Sequence, residues 1–170
     1  MIQVYTGNGK GKTTAAIGQV IRAAGNGMKT FFAMFMKDYS YSELKILNRL
    51  SDFIEIKQYA NDKFVFRKKL PSSSLKEEVK NGLSECINKM KSGKYEIMVL
   101  DEVLVSIYFQ LLELEDLINL IEQKPEAVEL ILTGRYCPEE IIDLADLVTE
   151  MKEVKHYYNK GVLSRKGFEC

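Results

Sequence analysis

Short runs of apolar residues alternate along the chain with longer segments in which apolar residues recur every three or four positions. The short runs predict strands at Ile2–Tyr5, Thr30–Met36, Phe53–Ile56, Glu96–Leu100, Ala127–Leu132 and Leu147–Met151. The amphipathic segments predict helices at Thr13–Ala24, Tyr41–Leu50, Leu75–Lys91, Leu114–Glu122 and from Pro138 to about Ala145. Apolar strands separated by helices are typical of a parallel sheet covered on both faces. The pattern therefore predicts an α/β fold with a mostly parallel sheet and helices on both faces.

Length and charge limit the class of protein. A chain of 170 residues can bury one sizeable core, so we expect a single domain over residues 1–170. The 24 basic and 24 acidic residues balance, so no bulk charge favours nucleic acid or an anionic membrane. The apolar runs are far shorter than the roughly 20 residues that span a bilayer. Strand-like sequence begins at residue 2, so we expect no signal peptide.

Cysteine and histidine usage argues against a disulfide framework or a zinc site. Cys86, Cys137 and Cys170 are widely spaced and odd in number, and His156 is the only histidine. We therefore expect reduced thiols and a cytoplasmic location.

The segment Thr6–Thr14, with the sequence TGNGKGKTT, joins the first predicted strand to the first predicted helix. Its end matches the phosphate loop G-x-x-x-x-G-K-[ST], with Thr6 at the place of the first glycine. Glycines let backbone N–H groups turn toward a phosphate, and the helix N-terminus adds a partial positive charge. The alternative, a solvated turn that caps a helix, is disfavoured by the flanking strand and helix. The predicted nucleotide-binding residues are Thr6, Gly7, Asn8, Gly9, Lys10, Gly11, Lys12, Thr13 and Thr14.

Acidic residues follow the strand at Glu96–Leu100. Asp101 is assigned to a magnesium ion together with the hydroxyl of Thr13, because phosphate-loop proteins hold the metal in this way. Glu102 has two interpretations: it orients or activates a reacting group, or it is a helix N-terminal carboxylate favoured by the helix dipole.

Two basic residues are placed on the same edge of the sheet. Lys37 follows the second strand, and Arg135 follows the strand that ends in Leu132-Thr133. Ligands of open α/β sheets bind beyond the carboxyl ends of the strands, so either residue could reach a phosphate. The alternative for both is an ordinary surface residue. The long irregular connection Gln58–Ser74 is of the kind that commonly forms binding loops or lids.

Five segments together carry a resemblance to a known family: GNGKGKTTAA at 7–16, VLDE at 99–102, TGR at 133–135, ADLVTEM at 145–151 and VKH at 154–156. They resemble the phosphate-loop ATP:corrinoid adenosyltransferases, which act on cob(I)alamin or cob(I)yrinic acid a,c-diamide. The resemblance covers nearly the whole chain and implies a P-loop NTPase (RecA-like) fold. It also implies transfer of the 5′-deoxyadenosyl group of ATP to the cobalt(I) of a corrinoid, with release of triphosphate.

The resemblance implies roles for individual residues. Glu102, Arg135 and Lys37 would complete the nucleotide site as catalytic groups, and Thr13 and Asp101 would hold Mg²⁺ or Mn²⁺. The implied partners are ATP, a reduced corrinoid, an electron-donor flavoprotein and a second copy of the chain in a homodimer.

The mid-chain loop would contact the corrinoid. Phe64-Val65-Phe66 fits the spacing of the family's Phe-x-Trp, with phenylalanine in place of tryptophan. The alternative is that Phe64 and Phe66 belong to the core.

Departures from the family pattern leave other functions open. The chain has no tryptophan, starts directly at the first strand, and has Asp38-Tyr39 rather than glycine after Lys37. The main competing function is a P-loop NTP hydrolase in which Glu102 activates water. A phosphotransferase and a regulatory nucleotide-binding module are further alternatives.

Overall fold

Within the residues that the structure describes, six parallel strands form the central sheet. The computed structural model describes residues 1–37, 41–60 and 70–168. The strands are β1 (Ile2–Thr6), β2 (Thr30–Phe35), β3 (Ile54–Tyr59), β4 (Ile97–Asp101), β5 (Glu129–Thr133) and β6 (Leu147–Glu150). They lie in the order β3-β2-β4-β5-β1-β6, and every neighbouring pair is parallel. The predicted α/β class is confirmed.

Helices connect the strands, as parallel pairing requires. Within the described residues they are α1 (Lys12–Gly25), α2 (Leu44–Leu47), α3 (Ser73–Lys91), α4 (Val103–Tyr108), α5 (Leu114–Glu122) and α6 (Glu139–Leu144). Short 3₁₀ turns follow at Asn48–Leu50 and Tyr157–Lys160. None of the helices in the described ranges is long and apolar enough to cross a membrane.

The two faces of the sheet carry separate apolar clusters because side chains alternate along each strand. In β2, Phe31 and Phe35 pack on the face covered by α3, α4 and α5. Phe32 and Met34 of the same strand pack on the opposite face, which α1 covers. All four are buried. The continuous apolar run of β2 is therefore explained by burial on both faces.

At the carboxyl edge of the sheet, each of the three neighbouring strands β2, β3 and β4 is followed by a residue with a left-handed backbone conformation. Met36, Ala60 and Glu102 have φ angles of 56°, 58° and 60°, and each follows directly on β2, β3 or β4. This conformation is uncommon for residues other than glycine, and it turns the chain out of the sheet. The edge so formed is the one at which the candidate residues were predicted to lie.

Some predicted boundaries were wrong. The helix predicted over Tyr41–Leu50 is regular only from Leu44 to Leu47. The strand predicted over Phe53–Ile56 continues to Tyr59, because the polar Lys57 and Gln58 lie on an edge strand. Helix α4 was not predicted, since its short sequence VLVSIY is almost entirely apolar and shows no amphipathic pattern. The single domain over residues 1–170 stays a prediction.

Candidate active site

The phosphate loop lies between β1 and α1, and a backbone contact fixes its shape. The Gly9 amide donates a hydrogen bond to the Met151 carbonyl at 2.6 Å. A Cβ on Gly9 would lie 2.6 Å from that same oxygen, closer than real side chains approach. Gly11 has φ 120° and immediately precedes α1. Glycine is therefore required at Gly9 by close approach and at Gly11 by conformation. No sequence pattern predicts the contact between Gly9 and Met151.

Lys12 is folded back onto the loop that precedes it. Its ammonium donates to the carbonyls of Gly7 and Gly9, both at 2.8 Å, and the residue is buried. Burial lowers the pKa of Lys12, against the opposing charge of Glu102. Helix α1 has no side-chain cap at its N-terminus and no acidic residue in its first turn. Its first N–H groups and the helix dipole thus remain suited to an anion.

Lys37 joins the two predicted metal ligands. Its ammonium donates to Asp101 Oδ2 at 2.6 Å and to Thr13 Oγ1 at 2.9 Å. Glu102 Oε1 lies 4.0 Å from the same nitrogen. Burial acts to lower the pKa of Lys37, but the charges of Asp101 and Glu102 outweigh it and raise the pKa. Lys37 is therefore a largely buried lysine that is ion-paired with Asp101.

The oxygens of Thr13 and Asp101 face one cation, so their geometry can be tested against the implied metal. Both are hard oxygen donors of the kind that Mg²⁺ and Mn²⁺ take in proteins, with water and phosphate completing the shell. The ammonium of Lys37 shows that a cation fits between them. The donor set is therefore compatible with the metal.

Thr133 organises the acidic pair. Its hydroxyl donates to Asp101 Oδ1 at 2.6 Å and accepts from the Glu102 amide at 3.0 Å. Thr133 and Asp101 are completely buried, so neither group has water as an alternative partner. Sequence reasoning did not assign Thr133 a role; its place directly before Gly134-Arg135 was the available signal.

Glu102 lies at the start of α4 in the left-handed conformation and makes no side-chain capping bond. Burial and the charge of Asp101 raise the pKa of Glu102, and Lys37 opposes the shift. The side chain is 22 % exposed and lines the pocket described next. Both predicted interpretations of Glu102 thus agree with its position.

A pocket of about 730 Å³ opens beside these groups. Its lining combines the phosphate loop, the carboxyl edge of the sheet and the C-terminal tail: Gly9, Lys10, Gly11, Lys12, Thr13, Thr14, Ile17, Lys37, Tyr41, Ser42, Glu43, Glu102, Arg135, His156, Gly167 and Phe168. Arg135 is among these lining residues. Thr6 and Asp101 are buried and are not part of the lining. Phe64 and Phe66 lie outside the described residues.

The C-terminal tail packs against the phosphate loop. The Lys10 ammonium donates to the Tyr157 hydroxyl at 3.2 Å. The Arg165 guanidinium lies 4.8 Å from the Tyr157 ring centroid and 4.7 Å from that of Phe168. The sequence predicted only an irregular tail, because contacts between residues this far apart leave no local pattern.

Comparison with known proteins shows which family the chain resembles. The sequence model of the family described as ATP:corrinoid adenosyltransferase BtuR/CobO/CobP matches residues 1–170. A corrinoid adenosyltransferase of Escherichia coli strain K12 is 28% identical over 170 residues, covering 99% of this chain and 85% of the relative. The corrinoid adenosyltransferase CobA of Salmonella typhimurium is 31% identical over 177 residues, with the same two coverages. That of Pseudomonas aeruginosa is 28% identical over 170 residues and is covered to 83%.

The match also confirms the predicted fold, because this family has a P-loop NTPase-like fold and the parallel sheet agrees with it. Since the family model covers the whole chain, the chain belongs to the ATP:corrinoid adenosyltransferase family and is an enzyme of this class.

Proposed function

We propose that this enzyme transfers the 5′-deoxyadenosyl group of ATP to the cobalt(I) of a corrinoid and releases triphosphate. The observation that carries the proposal is the convergence of Lys12, Lys37 and Arg135 with the phosphate loop on one pocket. Three cationic side chains and a helix N-terminus suit a group with the charge of a triphosphate. Membership of the family supports a corrinoid as the second substrate.

In the proposed step, cobalt(I) supplies the electron pair that forms the cobalt–carbon bond to C5′ of ATP. The C5′–O bond breaks, and its electron pair leaves with the triphosphate. The protein needs to hold the two substrates in line and to stabilise the charge of the leaving group. We assign the stabilisation of the leaving group to Lys12, Lys37 and Arg135, because all three line the pocket.

Thr13 and Asp101 are the proposed ligands of a Mg²⁺ or Mn²⁺ ion bound with the nucleotide. When bound, such an ion neutralises phosphate charge. Thr133 would hold Asp101 in position through its 2.6 Å hydrogen bond to Oδ1. Glu102 and Arg135 are proposed to complete the nucleotide site from the carboxyl edge of β4 and β5.

An anaerobic assay tests the proposal. Cob(I)alamin, generated by a chemical reductant, is mixed with ATP, magnesium and the enzyme, and the cobalt(I) absorbance is followed. We expect the absorbance to fall and the phosphorus spectrum to show tripolyphosphate as the product. Orthophosphate and ADP formed without corrinoid, with no spectral change of the cobalamin, would instead establish the competing hydrolase.

Phe64 and Phe66 remain the proposed contacts to the corrinoid. Replacing either by alanine is expected to weaken corrinoid use while ATP affinity stays unchanged. Equal loss of ATP binding and of thermal stability would support the alternative that both residues are in the core.

We further propose a homodimer, an electron-donor flavoprotein as partner and a cytoplasmic location. The exposed apolar side chains of Ile142, Leu144, Leu147 and Val148 on α6 and the edge strand β6 support a contact with a second copy. Sedimentation equilibrium would test the homodimer, with a monomer at micromolar concentration as the contrary result.

The free thiols of Cys86 and Cys137 support the proposed cytoplasmic location. Forming cobalt(I) requires an electron donor, and the family resemblance implies a flavoprotein in that role.

A further inference from the structure

The ammonium of Lys37 lies at the position that the sequence predicts for a metal ion. It donates to the hydroxyl of Thr13 at 2.9 Å and to Asp101 Oδ2 at 2.6 Å. One oxygen comes from the first turn of α1 and the other from the end of β4. The two oxygens predicted to bind a divalent metal ion therefore bind the Lys37 ammonium, a monovalent cation of the chain itself.

Several contacts hold Lys37 in this place. Its carbonyl accepts from the Gln58 side chain at 2.6 Å, which fixes the backbone after β2. The Tyr41 ring centroid lies 5.5 Å from the ammonium, and the Lys37 side chain is only 14 % exposed. The position is thus built by β2, β3 and the segment before α2, and it is not a chance orientation of a long surface side chain.

Asp101 depends on this cation. Its carboxylate is completely buried; Oδ1 accepts from Thr133 and Oδ2 accepts from Lys37. A buried carboxylate without an opposite charge is strongly disfavoured. Lys37 therefore neutralises Asp101 when no other cation is bound.

A divalent ion and the ammonium exclude one another. Magnesium binds its oxygen ligands at about 2.1 Å, so it would occupy the space that the ammonium fills and would repel it. For metal to enter, Lys37 must find another anion. Glu102 Oε1, at 4.0 Å from the ammonium, is the neighbouring carboxylate, and the phosphates of a nucleotide in the pocket are the other candidates.

We propose that Lys37 is a built-in cation that holds the metal position until ATP arrives, so that divalent metal binds together with the nucleotide and not before it. On binding of ATP, the phosphates would provide the new partner for Lys37, and the released oxygens of Thr13 and Asp101 would be able to hold the metal. The inference rests on the nucleotide and metal sites of the proposed function, and it does not involve the corrinoid.

The test measures Mn²⁺ binding to the nucleotide-free enzyme, by the electron paramagnetic resonance signal of free Mn²⁺. We expect weak binding to the unaltered chain and an affinity about tenfold higher or more for Lys37→Met, because a like charge has left the site. The double variant Lys37→Met, Asp101→Asn should lose this gain. Lys57→Met is the control, since Lys57 is 52 % exposed and pairs with Glu85 on the surface.

Two results would overturn the proposal: Mn²⁺ affinity that is equal in the unaltered chain and in Lys37→Met, or a gain that survives Asp101→Asn. Because Lys37→Met leaves the buried Asp101 carboxylate without its neutralising cation, thermal unfolding is measured in parallel. Lys37→Gln is the second variant; it keeps a hydrogen-bond donor for Asp101 while removing the charge, and it should show the same gain. No corrinoid or ATP is present, so failure of the adenosyl transfer would leave these results unchanged.

Discussion

Removing the hydroxyl of Thr133 should destabilise the protein much more than removing a second, equally buried threonine hydroxyl. In Thr133→Val the side chain keeps nearly its shape but loses the hydrogen bond to Asp101 Oδ1 and the one from the Glu102 amide. Thr133 is completely buried, so water does not replace either partner.

The expected loss of stability follows from the two groups that lose a hydrogen-bond partner, Asp101 Oδ1 and the Glu102 amide. A hydrogen bond to a charged group contributes about 1.5 to 3 kcal/mol, and an orphaned buried amide costs about 1 to 3 kcal/mol. Because the Asp101 carboxylate keeps Lys37, and the valine gains apolar contact, we expect a net loss of about 2 to 5 kcal/mol in the free energy of unfolding. At this chain length that corresponds to a melting temperature lower by roughly 4 to 20 °C.

Thr30→Val is the matched control. Thr30 is also completely buried in the sheet, but within the described residues its hydroxyl has no hydrogen-bond partner. Its removal should leave stability unchanged or slightly raised, since a buried unpaired polar group is lost. Urea unfolding of both variants, followed by circular dichroism, measures the two changes in stability. The midpoints can be compared directly when the denaturant slopes of the two variants are equal. If Thr133→Val and Thr30→Val change the midpoint equally, the hydrogen-bond account of Thr133 is refuted.

Three further predictions concern other parts of the molecule. Lys12→Ala should weaken ATP binding roughly 30- to 150-fold, which is the equivalent of about 2 to 3 kcal/mol in charge-assisted hydrogen bonds. Calorimetry measures the affinity, and Lys57→Ala is the control. Near-normal affinity for Lys12→Ala would refute the phosphate-loop assignment. Gly18→Ala should stabilise by up to about 1 kcal/mol, because α1 has open space there. Gly82→Ala, in α3, should instead destabilise the protein by up to about 2 kcal/mol, since its Cβ would lie 2.6 Å from Cγ of the Tyr59 ring. Equal melting temperatures for Gly18→Ala and Gly82→Ala would contradict this difference. The hydrogen bonds of Lys89, Tyr95 and Lys94 lower the pKa of Glu55 from 4.5 to about 2. Because the pKa is lowered in the folded state, the stabilisation is present above pH 4.5 and is lost as the pH falls toward 2. Glu55→Gln should therefore lower the melting temperature at pH 6 more than at pH 2.5, and an equal difference at both would be the contrary result.

The sequence by itself determined the α/β class, the position of the glycine-rich loop before α1 and most of the charged residues at the carboxyl edge. These features have local signals: apolar runs for the strands, glycines for the loop, and a charge directly after a strand. Lys37, Asp101 and Arg135 were found in this way, because a parallel sheet brings the ends of its strands to one edge.

Only the tertiary structure decided what those residues contact. The ammonium of Lys37 binds Thr13, 24 residues away, and Asp101, 64 residues away. The Thr133 hydroxyl on Asp101 and the Met151 carbonyl on Gly9 likewise join distant positions. Such contacts depend on the order of strands in the sheet, to which no local pattern corresponds. The sequence thus proposed a metal between Thr13 and Asp101, whereas the fold places the chain's own cation there.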